Sequence, residues 1–442
     1  MARPSGLSGF PEWLPEGRLV ELDVLDTVRR VFELHGFTPI ETRSLEPIDV
    51  LLRKGEIDKE VYAVRRLHAD DDDASLALHF DLTVPFARYV VENAGRLNFP
   101  LRRYQVQKAW RGERPQEGRF REFTQADIDI VDIDSLATHH DAEMALVMAE
   151  VFASLPFVPR ATILVNNRKV LEGFYRGLGI ADTAAVLRAV DKLDKIGPAK
   201  VRALLVDEVG VDGETADRVL ALAAIRGSDA GFVEEVRALG VSNPLLDEGL
   251  AELAAVVEAA RRTRPGAVVA DLHIARGLDY YTGTVYETLI DGYESFGSVC
   301  SGGRYDSLAT DGRTTYPGVG ISLGVTRLVS LLLGRGLATA SRSVPSAVLV
   351  AVTDEESRQA SDDVAFALRS RGIPCEVAPA ADKFGKQIRY ADRRGIPYVW
   401  FPDPGNHTVK DIRSGEQVPA DPSNWSPPAE DLTPQIRQGD DT

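Results

Sequence analysis

Cysteine is nearly absent from this chain, which has two among its 442 residues, Cys300 and Cys375. Two cysteines cannot build a disulfide framework, so we expect the protein to work in a reducing compartment. The chain also lacks any uninterrupted apolar run near the roughly 20 residues that cross a bilayer. Its first residues have neither the basic start nor the apolar stretch of a signal peptide. Together these absences predict a cytoplasmic protein with no membrane partner.

Positive charge is scarce over the whole chain, with 51 Lys and Arg against 67 Asp and Glu and a net charge of −16. Such an acidic balance argues against general coating of nucleic acid. Residues 101–125 are a local exception, because seven basic and three acidic side chains give that segment a charge of +4. The hydrophobic share of 44% is that of an ordinary globular protein. At roughly 100–200 residues per domain, the length predicts two or three domains.

Several familiar catalytic motifs are missing. The chain has no GxxxxGK[ST] loop, no HExxH and no paired CxxC. The segment GVGISLG (318–324) does not have GxGxxG spacing and leads into a helix predicted over 320–334, which favours close backbone packing over a dinucleotide site. His139 and His140 have no cysteine or carboxylate ligand pattern around them, so they indicate surface or core histidines and not metal ligands.

The order of strand and helix patterns predicts the domain organisation. A strand-rich first part gives way to an almost purely helical stretch, after which strands return, followed by a turn-rich linker and a β-α-β-α-β segment. We predict a first catalytic part (1–179), a helical insertion (180–265), a second catalytic part (266–334), a linker (335–346), an α/β domain (347–420) and a disordered tail (421–442).

The strongest local signal is RGERPQEGRFREF, a charged loop between two predicted strands, 101–110 and 121–131. It holds four arginines in eleven positions, and guanidinium groups form bidentate bonds to phosphate oxygens. Phe123 could offer a ring to a base, and Glu113 could accept from an exocyclic amine. A solvated, salt-bridged hairpin is the alternative, and the segment alone leaves both open. The four arginines are Arg111, Arg114, Arg119 and Arg121.

Two further segments combine polar and aromatic residues between predicted strands. ARGLDYYTGTVYE (275–287) contains consecutive tyrosines, which face opposite sides of a strand, so one can line a pocket while the other packs. A core tyrosine beside a capped turn remains the alternative. SGGRYDSL (301–308) has paired glycines that allow a close approach of the backbone.

Taken together, these segments resemble the histidyl-tRNA synthetases, a family of class II aminoacyl-tRNA synthetases. WRGERPQEGRFREFTQADIDIV resembles motif 2 of that class, PGVGISLGVTRL resembles motif 3, and RGLDYYTG and SGGRYDSL resemble the two histidine-specific motifs. The segment containing KQIRYADRRGIPYV resembles the family's anticodon-binding domain. The implied fold is a multidomain α/β and α+β protein: an antiparallel-sheet catalytic domain with a helical insertion, plus a C-terminal α/β anticodon-binding domain.

The resemblance also implies roles for individual residues. Catalytic roles fall to Arg276 and Arg111. The ATP-binding positions are Arg111, Glu113, Arg119, Phe123 and Arg327. The histidine-binding positions are Asp81, Thr83, Arg111, Gln125, Asp129, Arg276, Tyr280 and Tyr281. The tRNA-binding positions are Gln116, Arg121, Lys386, Arg389 and Arg393.

The implied substrates are ATP, histidine and tRNA(His), with Mg²⁺ between the β- and γ-phosphates and no direct protein ligand. Residues 16–50 resemble the helix and strand through which class II enzymes form homodimers. Two alternatives remain. A regulatory subunit of ATP phosphoribosyltransferase typically lacks both the anticodon-binding domain and the arginine of RGLDYYTG. This chain has both features, which disfavours that alternative. A class II synthetase for glycine, threonine or proline is disfavoured by the same motif.

Overall fold

The computed structural model describes residues 6–52, 58–68, 75–275 and 281–439. The chain divides at residues 11, 23 and 331 into two compact units. The first unit comprises the residues up to 11 together with 24–331, and the second comprises 12–23 and the residues from 332 onward. No helix in the described ranges is long and apolar enough to cross a membrane.

The elements up to residue 334 are strands and helices, with a run of helices between β7 and β8. They are α1 (Pro15–Leu34), β1 (Thr38–Pro39), β2 (Leu45–Pro47), α2 (Ile48–Leu51), β3 (Ala63–Val64), β4 (Leu76–Leu78), α3 (Thr83–Asn93), β5 (Leu101–Trp110), β6 (Glu122–Val131), α4 (His139–Ala153), β7 (Ala161–Asn167), α5 (Arg168–Gly177), α6 (Thr183–Val190), α7 (Leu193–Ile196), α8 (Pro198–Leu204), α9 (Gly213–Ala223), β8 (Arg226–Gly227), α10 (Phe232–Ala238), α11 (Pro244–Thr263), β9 (Val268–Asp271), β10 (Thr284–Ile290), β11 (Cys300–Tyr305), β12 (Gly318–Gly324) and α12 (Val325–Gly334). Asp182, Asp212 and Asn243 accept hydrogen bonds from backbone N–H groups where α6, α9 and α11 begin, which explains those helix starts.

A nine-stranded sheet forms the centre of the first unit, in the order β1-β5-β6-β12-β11-β10-β7-β9-β8. Each of the six strands from β5 to β7 in that order is antiparallel to its neighbour within the six, which confirms the predicted antiparallel sheet. β1 runs parallel to β5, and β9 runs parallel to β7. The strands β2, β4 and β3 form a separate small sheet.

The two faces of the central sheet differ in chemistry. On β6, Ile128 and Ile130 are fully buried on the face that also bears Arg304, which lies in register with Val319 and Ile130. Arg304 forms an ion pair with Asp141 of α4, so this face is the one that α4 covers. The side chains between these positions, including that of Asp129, point to the opposite face because a strand alternates with a period of two. That opposite face carries the candidate site.

The helix predicted over 320–334 begins only at Val325, because residues 318–324 form strand β12. Glycine explains the difference. A Cβ atom on Gly320 would lie 2.0 Å from the Oδ1 atom of Asp129, and one on Gly302 would lie 2.1 Å from the carbonyl oxygen of Gly320. Bare backbone is therefore required where β11, β12 and β6 meet. The expected close backbone packing is present, but in a strand.

The stretch predicted as a helical insertion contains helices α6 to α11 and a π-helical turn at Leu205–Val209. It also contains the two-residue strand β8, which pairs with β9 at the edge of the central sheet. By internal contacts it belongs to the same compact unit as the residues on either side. The boundaries at 180 and 265 therefore stay a prediction.

The second unit contains an α/β segment with the predicted β-α-β-α-β order. Its elements are β13 (Ala338–Ala340), β14 (Val348–Val350), α13 (Arg358–Ser370), β15 (Cys375–Val377), α14 (Phe384–Arg394), β16 (Tyr398–Phe401), β17 (Thr408–Asp411), β18 (Gln417–Pro419) and β19 (Ile436–Gln438). The five-stranded sheet has the order β15-β14-β16-β17-β18. Its first three strands are parallel, β17 pairs antiparallel with β16, and β18 pairs antiparallel with β17.

The prediction of a disordered tail is wrong for its described part, residues 421–439. The Trp425 ring lies 5.4 Å from that of Tyr398 and 5.5 Å from that of Trp400. Asp431 forms an ion pair with Arg413 at 2.8 Å. The strand β19 pairs with β13, which lies inside the predicted linker 335–346. A few anchoring side chains thus fix a segment whose composition of Pro, Asp and Ser favours disorder.

Candidate active site

A cavity of about 290 Å³ opens on the face of the central sheet opposite α4. Three arginines and aromatic rings line it. Arg111 follows strand β5, Arg119 lies in the hairpin loop and Arg327 lies on α12. Its lining residues are Glu60, Arg111, Glu113, Gly118, Arg119, Phe120, Phe123, Gln125, Ser298, Val299, Cys300, Ser301, Ser322, Gly324 and Arg327. All five residues predicted to bind ATP therefore lie around one cavity.

Arg111 follows the last residue of β5 and is held by its surroundings. Its guanidinium lies 4.4 Å from the centre of the Phe80 ring and 5.0 Å from that of Phe123. The Nε atom donates to the carbonyl oxygen of Phe80 at 3.3 Å. Two ring faces and one hydrogen bond fix the direction of the cation, which is an arrangement suited to a polyanionic ligand.

Glu113 and Arg119 lie on the hairpin loop and contact each other. A guanidinium nitrogen of Arg119 is 3.4 Å from a carboxylate oxygen of Glu113. Both side chains also line the cavity. The sequence left two interpretations of this loop open, a salt-bridged hairpin and a phosphate-binding loop. The structure contains the salt bridge and also places both of its side chains at the cavity.

Arg327 is held from the far side of the cavity by a segment that the sequence did not single out. Its guanidinium stacks on the Phe296 ring at 5.0 Å and donates to the carbonyl oxygens of Phe296 and Gly118. Gly118 has a φ of +69°, and a Cβ atom there would lie 2.4 Å from the Phe296 ring. Phe296 thereby joins the hairpin loop to Arg327. The segment DGYESFGS gives no pattern from which this could be predicted.

A second, smaller cavity of about 20 Å³ adjoins the first. Its lining combines two carboxylates with tyrosines, hydroxyl groups and bare glycine backbone: Thr83, Asp127, Asp129, Tyr281, Ser301, Gly302, Gly303, Tyr305, Gly320, Ile321 and Ser322. Ser301 and Ser322 line both cavities. The predicted histidine-binding residues Thr83, Asp129 and Tyr281 therefore meet in the smaller cavity, and Ser301 and Ser322 mark its junction with the larger one.

Asp129 is buried and already has two partners. A guanidinium nitrogen of Arg103 lies 2.6 Å from one carboxylate oxygen, and the Tyr305 hydroxyl donates to the other at 2.8 Å. Burial raises the pKa of Asp129 to about 6, although the Arg103 charge acts in the opposite direction. Arg103 has no exposed surface and was missed, because alternation along β5 does not indicate which face is buried.

Asp127 was also missed, although it lies two residues before Asp129 on the same strand face. It is 2% exposed, and its Oδ1 atom has no hydrogen-bond partner among the described residues. Burial raises the pKa of Asp127 to about 7, while Arg103 and a hydrogen bond from Ser322 act to lower it. The sequence signal was the alternation of QADID itself, which places Gln125, Asp127 and Asp129 on one face.

Two further residues that were predicted to bind histidine, Asp81 and Gln125, lie beside these carboxylates. Asp81 is buried, and its Oδ1 atom accepts from the backbone N–H of Val84 at 3.1 Å. The side-chain amide of Gln125 donates to the Ser322 hydroxyl, while the Gln125 Oε1 atom is buried without a hydrogen-bond partner in the described part of the chain. Gln125 lines the larger cavity close to the junction.

Tyr281 lies against Gly303, one of the paired glycines of β11. A Cβ atom on Gly303 would lie 2.7 Å from the Tyr281 ring, so glycine is needed for the ring to occupy this position. Arg276 and Tyr280, the other residues predicted from RGLDYYTG, lie outside the described residues. Their predicted roles are therefore neither supported nor contradicted by the structure.

The predicted tRNA-binding residues fall into two groups. On the hairpin, Gln116 forms a bridge with Arg119, and the Nε atom of Arg121 donates to the carbonyl oxygen of Glu113. In the second unit, three basic side chains are exposed at spacings of three and four on α14: Lys386, Arg389 and Arg393. Within the described ranges, no cluster of three or more His, Cys, Asp or Glu residues is arranged to hold a metal ion.

Two family models match this chain. A model described as histidyl-tRNA synthetase matches residues 9–328. A model described as anticodon binding domain matches residues 346–424. The second match covers the segment that a synthetase-like regulatory subunit typically lacks.

Individual relatives agree with the family models. A histidine–tRNA ligase of Micrococcus luteus is 62% identical over 459 aligned positions, covering 100% of both chains. The crystal structure of a histidyl-tRNA synthetase from Nostoc sp. PCC 7120 has a TM-score of 0.85 at 37% identity, covering 94% of this chain and 96% of that one. An ATP phosphoribosyltransferase regulatory subunit/histidyl-tRNA synthetase of Bacillus halodurans has a TM-score of 0.72 at 20% identity, with coverage of 87% and 96%, and shows the fold alone. The chain therefore has the class II aminoacyl-tRNA synthetase fold and belongs to the histidyl-tRNA synthetase family.

Proposed function

We propose that this chain joins histidine to the 3′ end of tRNA(His) in two steps that consume ATP. In the first step, a carboxylate oxygen of histidine attacks the α-phosphorus of ATP, and pyrophosphate leaves with the electrons of the broken P–O bond. In the second step, a ribose hydroxyl of the terminal nucleotide attacks the carbonyl carbon of histidyl-adenylate. The products of that step are histidyl-tRNA, AMP and a proton.

One observation carries the proposal: two chemically different cavities share Ser301 and Ser322. The larger cavity, at about 290 Å³, is near the lower end of the range for ligand pockets and combines arginines with aromatic rings, as a nucleotide requires. The smaller cavity offers carboxylates and a tyrosine, as an amino acid with an imidazole requires. Their junction is where the two substrates would react.

Each residue of the larger cavity has a proposed task in holding ATP. Because little covalent chemistry falls to the protein, its contribution is to position the phosphates and stabilise their charge. The salt bridge between Glu113 and Arg119 would open as each side chain takes its own ligand. Mg²⁺ would enter with ATP, held by the phosphates with no direct protein ligand, and would offset part of their negative charge. The proposed contacts are Arg111 with the α-phosphate and the histidine carboxylate, Glu113 with the adenine amine, Phe123 under the adenine ring, Arg119 with the terminal phosphates, and Arg327 with the other adenine face or the γ-phosphate.

The smaller cavity is proposed to read the amino acid. An imidazole has two ring nitrogens, and a selective site needs a partner for each of them, here Asp129 and Tyr281. Asp81, Thr83 and Gln125 would hold the α-amino group. The neighbouring tyrosine, Tyr280, would shape the pocket or pack behind it.

Arg276 is proposed as the residue that stabilises charge on the α-phosphate oxygens during adenylate formation. This role rests on the resemblance of RGLDYYTG to the family motif. A fixed guanidinium at the reacting phosphate contributes in the same way as a preorganised hydrogen-bond donor at an oxyanion.

The chain is also proposed to bind tRNA, to pair with a second copy of itself and to act in the cytoplasm. Basic side chains would contact the phosphates of tRNA. Such contacts neutralise the phosphate charge and release the counterions that otherwise surround it. We propose a homodimer formed through residues 16–50 and activity in the cytoplasm during protein synthesis. The proposed tRNA contacts are Gln116, Arg121, Lys386, Arg389 and Arg393.

A charging assay tests the proposal. The protein is incubated with ATP, Mg²⁺, labelled histidine and total bacterial tRNA, and the acylated tRNA is recovered and sequenced. We expect label on tRNA(His) alone, and none when ATP is left out. Arg111→Lys is the matched variant, because it keeps the charge and loses the bidentate fork, and it should charge far more slowly. Label spread over several tRNAs, or no label, would contradict the proposal.

A further inference from the structure

Asp127 lies between two residues that bracket the proposed amino-acid site. Gln125, Asp127 and Asp129 follow one another on the same face of β6, at about 7 Å per pair of residues. In the neighbouring strands, Asp127 is in register with Gln105 and Ser322. It therefore occupies the middle of a path that runs from the cavity junction to the proposed imidazole partner.

The Asp127 carboxylate is buried with one of its oxygens unused. The Ser322 hydroxyl accepts from the Gln125 amide, and hydrogen bonding from Ser322 acts to lower the pKa of Asp127. The Oδ1 atom has no hydrogen-bond partner among the described residues, and the side chain is 2% exposed. A buried acceptor left unpaired is costly, so such an atom points to a missing donor.

Charge around the smaller cavity favours a cationic donor. The described lining of that cavity includes two carboxylates, Asp127 and Asp129, and no basic side chain. The nearby guanidinium of Arg103 is engaged by Asp129 at 2.6 Å. Asp81 adds a third carboxylate close enough to act on both of the others. Among these groups negative charge exceeds positive charge, which suits a ligand that brings an ammonium group.

We propose that Asp127 is an additional histidine-binding residue whose free carboxylate oxygen accepts a hydrogen bond from the α-ammonium group of the substrate. The inference rests on the proposed function and extends it. An α-ammonium has three N–H bonds, and the Oδ1 atom of Asp127 and the Oε1 atom of Gln125 are both buried acceptors without a partner in the described residues. With Asp81, they give one acceptor for each N–H.

The raised pKa of Asp127 is in keeping with this role. Burial holds the pKa near 7 in the protein without its substrate. An ammonium group at hydrogen-bond distance stabilises the ionised carboxylate and would bring that pKa back down. The groups that face Asp127 from neighbouring elements are Arg103 on β5, Asp129 on β6, Asp81 before α3 and Cys300 on β11.

The test compares two ligands that differ only in the amino group, histidine and 3-(imidazol-4-yl)propionate. Their dissociation constants are measured by calorimetry for the wild-type protein and for Asp127→Asn, which keeps the shape of the side chain. We expect the variant to bind histidine ten- to hundredfold more weakly, as one charge-assisted hydrogen bond would require, and the propionate equally well. In pyrophosphate exchange, the Asp127→Asn variant should have a higher KM for histidine and an unchanged KM for ATP.

A second variant and a control separate binding from folding. Asp127→Ser should show the same selective loss for histidine. Asp141→Asn makes the same change at a buried carboxylate that pairs with Arg304 on the opposite face of the sheet, and it should lower the melting temperature without changing the ratio of the two dissociation constants. Equal loss of both ligands in Asp127→Asn, or no loss of either, would overturn the proposal. If the wild-type protein shows no exchange with histidine, the proposed function itself fails.

Discussion

Asp129 has two tasks that mutation should reveal together. It neutralises Arg103, which is fully buried, and it is the proposed acceptor for an imidazole N–H. Removing one member of a buried ion pair costs about 3–5 kcal/mol because the other charge is left unpaired. Asp129→Ala should therefore lower the free energy of unfolding by about that amount and raise the KM for histidine far more than the KM for ATP.

Denaturant unfolding and pyrophosphate exchange measure these two effects of Asp129→Ala. The matched variant is Asp129→Asn, which retains hydrogen-bonding capacity towards Arg103 and should lose less stability. An unchanged free energy of unfolding would contradict the structural part of the account. Equal changes in the two KM values would contradict the binding part.

Residue identities were predicted where a motif carried them and missed where only packing did. Arg111, Glu113 and Arg327 were found by pattern, and the structure places all three at one cavity. Arg103 and Asp127 were missed because charged residues on a strand are ordinarily read as its solvent face. Here both faces of β6 are buried. One face is covered by α4, and on the other the side chains of Gln125, Asp127 and Asp129 are buried beside the two cavities. Alternation gives the sides of a strand but not what covers each side.

At the scale of elements, the turn at Glu294–Phe296 is expected to support ATP binding. The Phe296 ring lies under Arg327 and against Gly118, and it thus joins the hairpin loop to α12. A cation–π contact is worth about 0.5–1 kcal/mol at a partly exposed site. Phe296→Ala should raise the KM for ATP about two- to fivefold and leave the KM for histidine unchanged.

Steady-state exchange kinetics at varied ATP and varied histidine check this prediction. Phe366→Ala is the control, because Phe366, the single phenylalanine of α13, is 75% exposed and does not line either cavity. It should leave both constants unchanged. An equal rise of both KM values in Phe296→Ala would mean that the turn supports the whole site and not the nucleotide alone.

The segment 421–439 is expected to stabilise the second unit. Trp425 packs on Tyr398 and Trp400, and Arg413 holds the pKa of Asp431 below its usual range. Removing residues 421–442 should lower the melting temperature of the unit that contains α14. Asp431→Asn should remove stability that is present above about pH 4 and that the wild type loses as the pH falls through the lowered pKa.

Differential scanning calorimetry, repeated over a range of pH for Asp431→Asn, measures the effect of both changes on the melting temperature. Removing only residues 440–442 is the control for truncation itself, because the packing of Trp425 and the pairing of β19 with β13 remain. A truncated protein that melts at the wild-type temperature would restore the interpretation of this segment as a disordered tail. Composition alone does not reveal that a single apolar side chain in a polar segment, such as Trp425, packs against the rest of the unit.

The periodicity of the sequence predicted which helices and strands exist better than it predicted where each one begins and ends. The strands β5 and β6 lie where alternation placed them, because hydrogen bonding to neighbours on both sides supports the local preference. The helix predicted over 320–334 starts five residues too early, because residues up to Gly324 belong to strand β12. In the structure, the glycines of this strand allow β12 to lie against Asp129 and β11. The need for bare backbone arises from tertiary contacts that the sequence does not display.

At the scale of the whole molecule, we expect two copies of the chain to associate. Residues 16–50 resemble the dimer-forming helix and strand of class II enzymes, and Leu34 at the end of α1 is 68% exposed. Burying such apolar surface against a second copy is favourable. Light scattering at micromolar concentration should give twice the chain mass of 48.2 kDa. A monomer would contradict the dimer, and Leu34→Glu should weaken association while leaving the fold intact.

The multidomain fold followed from the order of elements and from the family resemblance, and family models match both parts. What the sequence could not supply is the joining of two cavities, since that depends on the register of β6, β11 and β12. Ser301 and Ser322 carry no motif of their own, yet they line both cavities.

The most direct measurement is ATP–pyrophosphate exchange with each of the twenty amino acids in turn, without tRNA. A carboxylate that lacks its donor costs about 1–3 kcal/mol, so amino acids that cannot pair with Asp129 should be rejected. The account predicts exchange with histidine alone, and none with glutamine, asparagine or phenylalanine. Exchange of comparable rate with any other amino acid, or no exchange with histidine, would contradict it.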